Sequence, residues 1–209
     1  MKAEVQTFPA AVSYRGVLRL LFASTRPQEW VKNTFVFAPL LFSQNLLNLD
    51  LLAKSFVAFV FFCLASGGVY LINDICDRDR DKNHPQKIGR PIASGALSVP
   101  VATTAAIAFL STAMIGALLV NVPLGLITFS YVALNIMYSN WLKHVVILDV
   151  FSIAAGFVLR VIAGAVMIDV MISHWLLICT MLLALFLGFS KRRYELVNLT
   201  NTPAFTDAF

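Results

Sequence analysis

The run Tyr70-Leu-Ile-Asn-Asp-Ile-Cys-Asp-Arg-Asp-Arg-Asp-Lys82 gathers four of the chain's eleven acidic side chains into thirteen residues. Asp74, Asp77 and Asp81 stand three and four apart. On a helix they share one face, with Asn73 beside them and Asp79 turned away. Three carboxylates on one face repel one another unless a cation sits among them. Such hard oxygen donors suit Mg2+, which keeps several waters and bridges protein carboxylates to substrate phosphates. Arg78, Arg80, Lys82, Lys87 and Arg90 follow closely and suit the same phosphates. The pattern therefore points to a Mg2+ site on Asp74, Asp77 and Asp81 at which a phosphorylated substrate reacts. The plainer reading is a solvated loop with local ion pairs. The next segment, Lys87-Ile-Gly-Arg-Pro-Ile-Ala-Ser-Gly95, is turn-rich and keeps Arg90 near the cluster. His84 has no second His or Cys at metal spacing and is expected to be an ordinary loop residue.

The elements that must hold these residues follow from composition. Of 209 residues, 59% are hydrophobic and 13% charged, and the mean hydropathy is +0.79. Soluble domains run nearer 45–50% apolar and about 25% charged. A water-soluble globular domain is excluded, and so is disorder, which needs low hydrophobicity. Cys63, Cys76 and Cys179 lie far apart and imply no disulfide framework. The net charge of +5 could serve nucleic acid or a membrane surface. The hydropathy decides for the bilayer, and no nucleic-acid partner is expected. Six apolar runs approach the ~20 residues that a spanning helix needs: about 33–49, 52–72, 97–120, 123–142, 145–168 and 173–190. The first is short and carries Asn33 and Gln44. The fold class predicted is all-α, a polytopic helical membrane bundle. Fourteen of the sixteen Lys and Arg fall on one side of these spans, all except Lys54 and Arg160. Cationic loops stay inside, so a multi-pass protein of the inner (plasma) membrane with both termini cytoplasmic is expected. No cleavable signal peptide is expected. Tyr14–Phe22 has Arg and Leu at helical spacing and suits the inner interface. The organisation expected is an N-terminal cytoplasmic or interfacial segment over 1–25, a transmembrane unit over 26–196 and a polar tail over 197–209.

Other polar residues collect at the same rim. Tyr138, Lys143 and Asp149 cluster at the turn between the fourth and fifth spans. Lys143 is placed to hold a phosphate and Tyr138 to donate a hydrogen bond, unless both are interfacial anchors. Arg160 lies mid-run in the fifth span, where a charge is costly and is by default a functional hypothesis. The alternative is that it snorkels to the outer interface. Gly156 and Gly164 share a face of that span, and tight helix packing is expected of both. Lys191, Arg192 and Glu195 follow the sixth span.

Several segments together resemble one family. Asn73-Asp74-x-x-Asp77-x-x-x-Asp81 is similar to the first aspartate-rich motif of the UbiA superfamily of intramembrane prenyltransferases. Arg26-Pro-Gln-Glu-Trp-Val-Lys-Asn33, Lys87–Gly95, Tyr138-Ser-x-x-Leu-Lys143 with Asp149, Gly156-Phe-x-x-Arg160-x-x-Ala-Gly164 and Lys191-Arg-Arg-Tyr-Glu-Leu196 resemble its decaprenyl-phosphate phosphoribosyltransferase branch. The resemblance implies a helical bundle with a cytoplasmic active site open sideways to lipid. It implies Mg2+-dependent transfer of phosphoribose from phosphoribosyl diphosphate to a polyprenyl phosphate. It adds Lys32 and Asn33 as phosphate or ribose contacts. The second aspartate-rich motif of the wider family is reduced here to Glu195 with a basic triplet, which suits an anionic second substrate. The competing enzyme is an aromatic prenyltransferase; the non-enzymatic reading is a channel or transporter subunit. The resemblance also implies nine helices where six runs are present. Two readings stand for that difference. One is an inactive truncated copy. In the other, a second copy of the chain or a separately encoded C-terminal half completes the wall.

Overall fold

The computed structural model describes residues 14–142 and 145–200, and every regular element among them is helical. The order is α1 (Tyr14–Ser24), a 3-10 helix (Pro27–Phe37) that runs into α2 (Ala38–Phe42), α3 (Leu49–Cys76), α4 (Arg78–Lys82), α5 (Val99–Val120), α6 (Val122–Asn140), α7 (Val146–Met167) and α8 (His174–Thr200). Five of these, α3, α5, α6, α7 and α8, are long and apolar enough to cross a membrane.

The first expected span is corrected. Residues 43–48 form a turn, and the helical stretch lies earlier, over residues 27–42. The residues of the 3-10 helix explain its form. Asn33 and Val36 are buried and three apart, and Pro39 of α2 continues that row. A period of three is that of a 3-10 helix, in which residues i and i+3 eclipse. The form also gains length: at ~2.0 Å per 3-10 residue and ~1.5 Å per α residue, the pair covers about 30 Å, the thickness of the hydrocarbon core.

Close contacts between backbones set the helix pairs. A Cβ at Gly164 of α7 would lie 1.9 Å from the Val36 carbonyl oxygen, so α7 and the 3-10 helix touch main chain to main chain. A Cβ at Gly125 of α6 would lie 2.6 Å from the Cα of Leu118 of α5, a second backbone contact, behind the one-residue turn at Asn121. Asn48 and Asn121 cap α3 and α6, each side chain accepting backbone N–H bonds of the first turn. The main core lies between α3, α5 and α6, around Phe62, Ala113, Leu124 and Tyr131. A second cluster (Leu71, Ile92, Leu97, Ala102) pins the loop after α4 to α3 and α5. Val17, Leu20 and Leu21 of α1 pack on that cluster, while Leu18 and Phe22 face outward.

Candidate active site

A cavity of about 460 Å³ lies among the 3-10 helix, α3, α6, α7 and α8. Each helix lines it with one stripe. From α3 and its cap come Ser66, Val69, Tyr70, Asn73, Asp74 and Asp77; from α6, Tyr131, Leu134, Asn135, Tyr138 and Ser139; from α7, Ser152, Ile153, Gly156, Phe157 and Arg160. The steps are three and one throughout, the signature of a single helical face. Leu187, Gly188 and Lys191 of α8, Arg26, Glu29 and Lys32 at the 3-10 helix, and Lys87 and Arg90 of the loop after α4 complete the wall. At ~1.5 Å per residue, Ser66 to Asp74 and Arg160 to Ser152 each cover about 12 Å, in one direction from floor to mouth.

The mouth is a network of aspartates and arginines. Asp74 and Asp81 are buried, 3% and 1% exposed. Arg90 bridges them, donating from Nη1 to Asp74 Oδ1 at 3.2 Å and to Asp81 Oδ2 at 2.6 Å. Arg26 donates to the same Asp74 Oδ1 at 2.5 Å and stacks on the Tyr70 ring at 4.9 Å. Arg26 does so from the left-handed region, φ 53°, where it starts the 3-10 helix. Such a conformation costs energy for a side chain with a Cβ, and the contacts to Asp74 and Tyr70 hold it there. The cation that the aspartate spacing demands is thus a guanidinium between Asp74 and Asp81. Asp81 accordingly lies behind Arg90, with Lys87 3.9 Å from its other oxygen, and does not line the cavity. Asp77 caps α3, lines the cavity and pairs with Arg80 at 3.8 Å. Asp79 faces away, and its hydrogen bond to Lys82 at 2.8 Å lowers its pKa below the ordinary carboxylate value. Among the described residues no group of three or more His, Cys, Asp or Glu is arranged to hold a metal; from the acidic run of α3 and its cap, Asn73, Asp74 and Asp77 reach the cavity, and Glu29, paired with Lys32, lines it from the 3-10 helix.

At the rim, Tyr138 donates to Asp149 Oδ1 at 2.8 Å and Arg192 pairs with Oδ2 at 2.8 Å. Asp149 is 6% exposed and joins α6, α7 and α8. Of this trio only Tyr138 lines the cavity, as Lys191 of α8 also does. Lys32, at the mouth, also pairs with Glu29. Lys143 and the side chain of Glu195 lie outside the described residues.

The floor is built around Arg160. Its Nε donates to Asn33 Oδ1, its Nη1 to the Gly156 carbonyl and its Nη2 to the Tyr131 hydroxyl, each at 2.8 Å. The guanidinium stacks 4.7 Å from the Tyr131 ring centre. Arg160 is 7% exposed and turned into the bundle, so it does not snorkel outward. Asn33 is fully buried and does not line the cavity. Its amide nitrogen donates to Ser66 Oγ at 3.2 Å and Cys63 Sγ at 3.3 Å, so it supports Arg160 and offers no surface to a substrate. Sequence reasoning did not single out Arg26, Tyr70 or Tyr131 as site residues. The only local signal for Tyr131 is a polar aromatic residue at depth in an apolar run.

The family model "UbiA prenyltransferase family" matches residues 34–194. A decaprenyl-phosphate phosphoribosyltransferase of Mycolicibacterium smegmatis is 34% identical over 98% of this chain and 65% of its own length. The nodulation protein NoeC of Azorhizobium caulinodans is 32% identical over 86% of this chain and 58% of its own. The chain therefore spans about two thirds or less of these curated relatives. The solved structure of a UbiA homolog from Archaeoglobus fulgidus bound to DMAPP and Mg2+ superposes with a TM-score of 0.63 at 20% identity, over 81% of this chain and 60% of that one.

Proposed function

The chain belongs to the UbiA prenyltransferase family, and from that premise we propose that it moves 5-phosphoribose from phosphoribosyl diphosphate to a polyprenyl phosphate of decaprenyl type. The observation that carries this choice among the family's reactions is the similarity over nearly the whole chain to decaprenyl-phosphate phosphoribosyltransferases. The cavity agrees with it: acidic and amide oxygens stand on one stripe at the mouth, with arginines and lysines around them.

The donor set at the mouth fits Mg2+. Asp74 and Asp77 offer two carboxylates and Asn73 an amide oxygen, and Mg2+ is typically held by one or two carboxylates with substrate phosphates completing its shell. Arg26 and Arg90 share Oδ1 of Asp74, which leaves Oδ2 outside those two bonds. When bound, the ion supplies charge stabilisation for the departing diphosphate. Lys32, Lys87 and Lys191 line the same mouth and neutralise phosphate charge. The bond from the anomeric carbon to the diphosphate breaks with oxocarbenium character, and an oxygen of the lipid phosphate forms the new bond. That nucleophile is already anionic at neutral pH, so no general base is needed. Asp149 holds Tyr138 and Arg192 at the rim, fixing α6 and α8 against α7. The mouth is assigned to the cytoplasmic face of the plasma membrane; the concentration of basic residues at that end supports the orientation.

The test is transfer of radiolabel from phosphoribosyl diphosphate into extracted lipid by the purified chain. Wild type is expected to label polyprenyl phosphate, and Asp77→Ala to lose at least about 100-fold while expressing normally. Label transfer from geranyl diphosphate to an aromatic acceptor, with none from phosphoribosyl diphosphate, would overturn the reading.

A further inference from the structure

We propose that the cavity floor is a second anion site, built by Arg160 and Tyr131, which takes a phosphate monoester: the 5-phosphate of the donor, at the end remote from its diphosphate. Two groups at the floor point to an anion. Arg160 lies about 21 Å along α7 from its first residue at ~1.5 Å per residue, deep in a spanning helix. There an unbalanced charge is costly. Among the described residues its hydrogen-bond partners are neutral oxygens, from Asn33, Gly156 and Tyr131, and no carboxylate lies within ion-pair distance of it. Three of the five guanidinium N–H groups are committed to those bonds, which leaves two. Tyr131 accepts from Arg160 through its hydroxyl oxygen, so its own proton is left to donate. Both side chains line the cavity. The site is built rather than incidental: Asn33, which fixes the guanidinium at Nε, is itself locked by Ser66 and Cys63.

The position of this site decides what it serves. The floor lies about 12 Å below Asp74 along α3, since Ser66 joins Asn33 there. A donor with its diphosphate at the mouth would bring its far end to the floor. A prenyl diphosphate would place hydrocarbon against a guanidinium. A phosphorylated pentose would place a phosphate there, and a bidentate arginine with a tyrosine hydroxyl suits that group. The identity of the ligand rests on the phosphoribosyl reading above; the presence of an anion site does not.

The experiment measures binding to the full chain in detergent, with each half of the donor as a probe. Ribose 5-phosphate reports the floor, Mg2+–pyrophosphate the mouth, and farnesyl phosphate the acceptor's own phosphate. Arg160→Gln is expected to weaken ribose 5-phosphate about 10–100-fold, the range for lost hydrogen bonds to a charged group. Mg2+–pyrophosphate and farnesyl phosphate should stay within about threefold. Tyr131→Phe, which keeps the ring under the guanidinium, should weaken ribose 5-phosphate about tenfold, and Arg160→Lys should recover part of the loss. If Arg160→Gln does not fold, Tyr131→Phe and Arg160→Lys carry the same comparison. Equal loss of all three probes with a lowered unfolding temperature would make the cluster a structural staple and overturn the proposal. A response of farnesyl phosphate alone would overturn the donor assignment. Arg160-dependent binding of ribose 5-phosphate in a chain that transfers no phosphoribose would sustain the anion site and reject only the transferase reading.

Discussion

Asp77 and Asp81 are both acidic and four residues apart, yet the structure gives them different work. Asp77 lines the cavity, and Asp81, 1% exposed, accepts a 2.6 Å bond from Arg90. Asp81→Asn weakens a charge-assisted bond and leaves Arg90 to Asp74. Transfer is expected to fall about tenfold, the scale of such a bond. The Mg2+ concentration needed for half-maximal rate should not change. Asp77→Ala should instead raise that concentration. A metal titration of both variants separates the roles; a shifted Mg2+ requirement in Asp81→Asn would return Asp81 to the metal site. The same reasoning explains why the sequence placed Asp81 with the others. Helical spacing puts its carboxylate on the face of Asp74, and the two do meet at Arg90. What spacing cannot say is which cation stands between them.

At the scale of elements, the two glycines of α7 have different duties although they share a face. Gly164 has the Val36 carbonyl where its Cβ would be, at 1.9 Å, and backbone cannot swing aside as a side chain can. Gly164→Ala is expected to push α7 from the 3-10 helix and cost about 1–3 kcal/mol, as overpacking does. Gly156 faces the cavity, its nearest neighbour being Arg160 Nη1 at 3.4 Å. Gly156→Ala should leave stability unchanged or slightly raised, since alanine favours helix over glycine. Thermal unfolding of the two purified variants checks the contrast. Tight packing is expected of both glycines from the sequence; Gly164 has it and Gly156 is a cavity wall instead, because spacing gives the shared face and only the neighbour across it tells contact from open space. The 3-10 helix teaches the same lesson: its period of three is present in Asn33, Val36 and Pro39, and an apolar count over 33–49 blurs it.

At the scale of the whole molecule, orientation is open to direct measurement. Cys76 is exposed at the end of α3 that carries Asp74, Cys63 is buried, and Cys179 lies on the exposed face of α8 within its apolar stretch. A membrane-impermeant maleimide should leave intact cells unlabelled and label Cys76 once the inner face is opened; labelling of Cys76 from outside would reverse the topology. The helical class and the membrane setting followed from the sequence, because apolar runs of this length have only their own backbone to satisfy them in lipid. That Asp74 and Asp81 of the acidic cluster face each other followed too, because a helical period is local. The tertiary structure alone decided which side chains complete it. Arg26 meets Asp74 across 48 residues and Arg160 meets Asn33 across 127. Pairings at such separations depend on how five spanning helices and one 3-10 helix stack, and no local pattern of residues encodes that stacking.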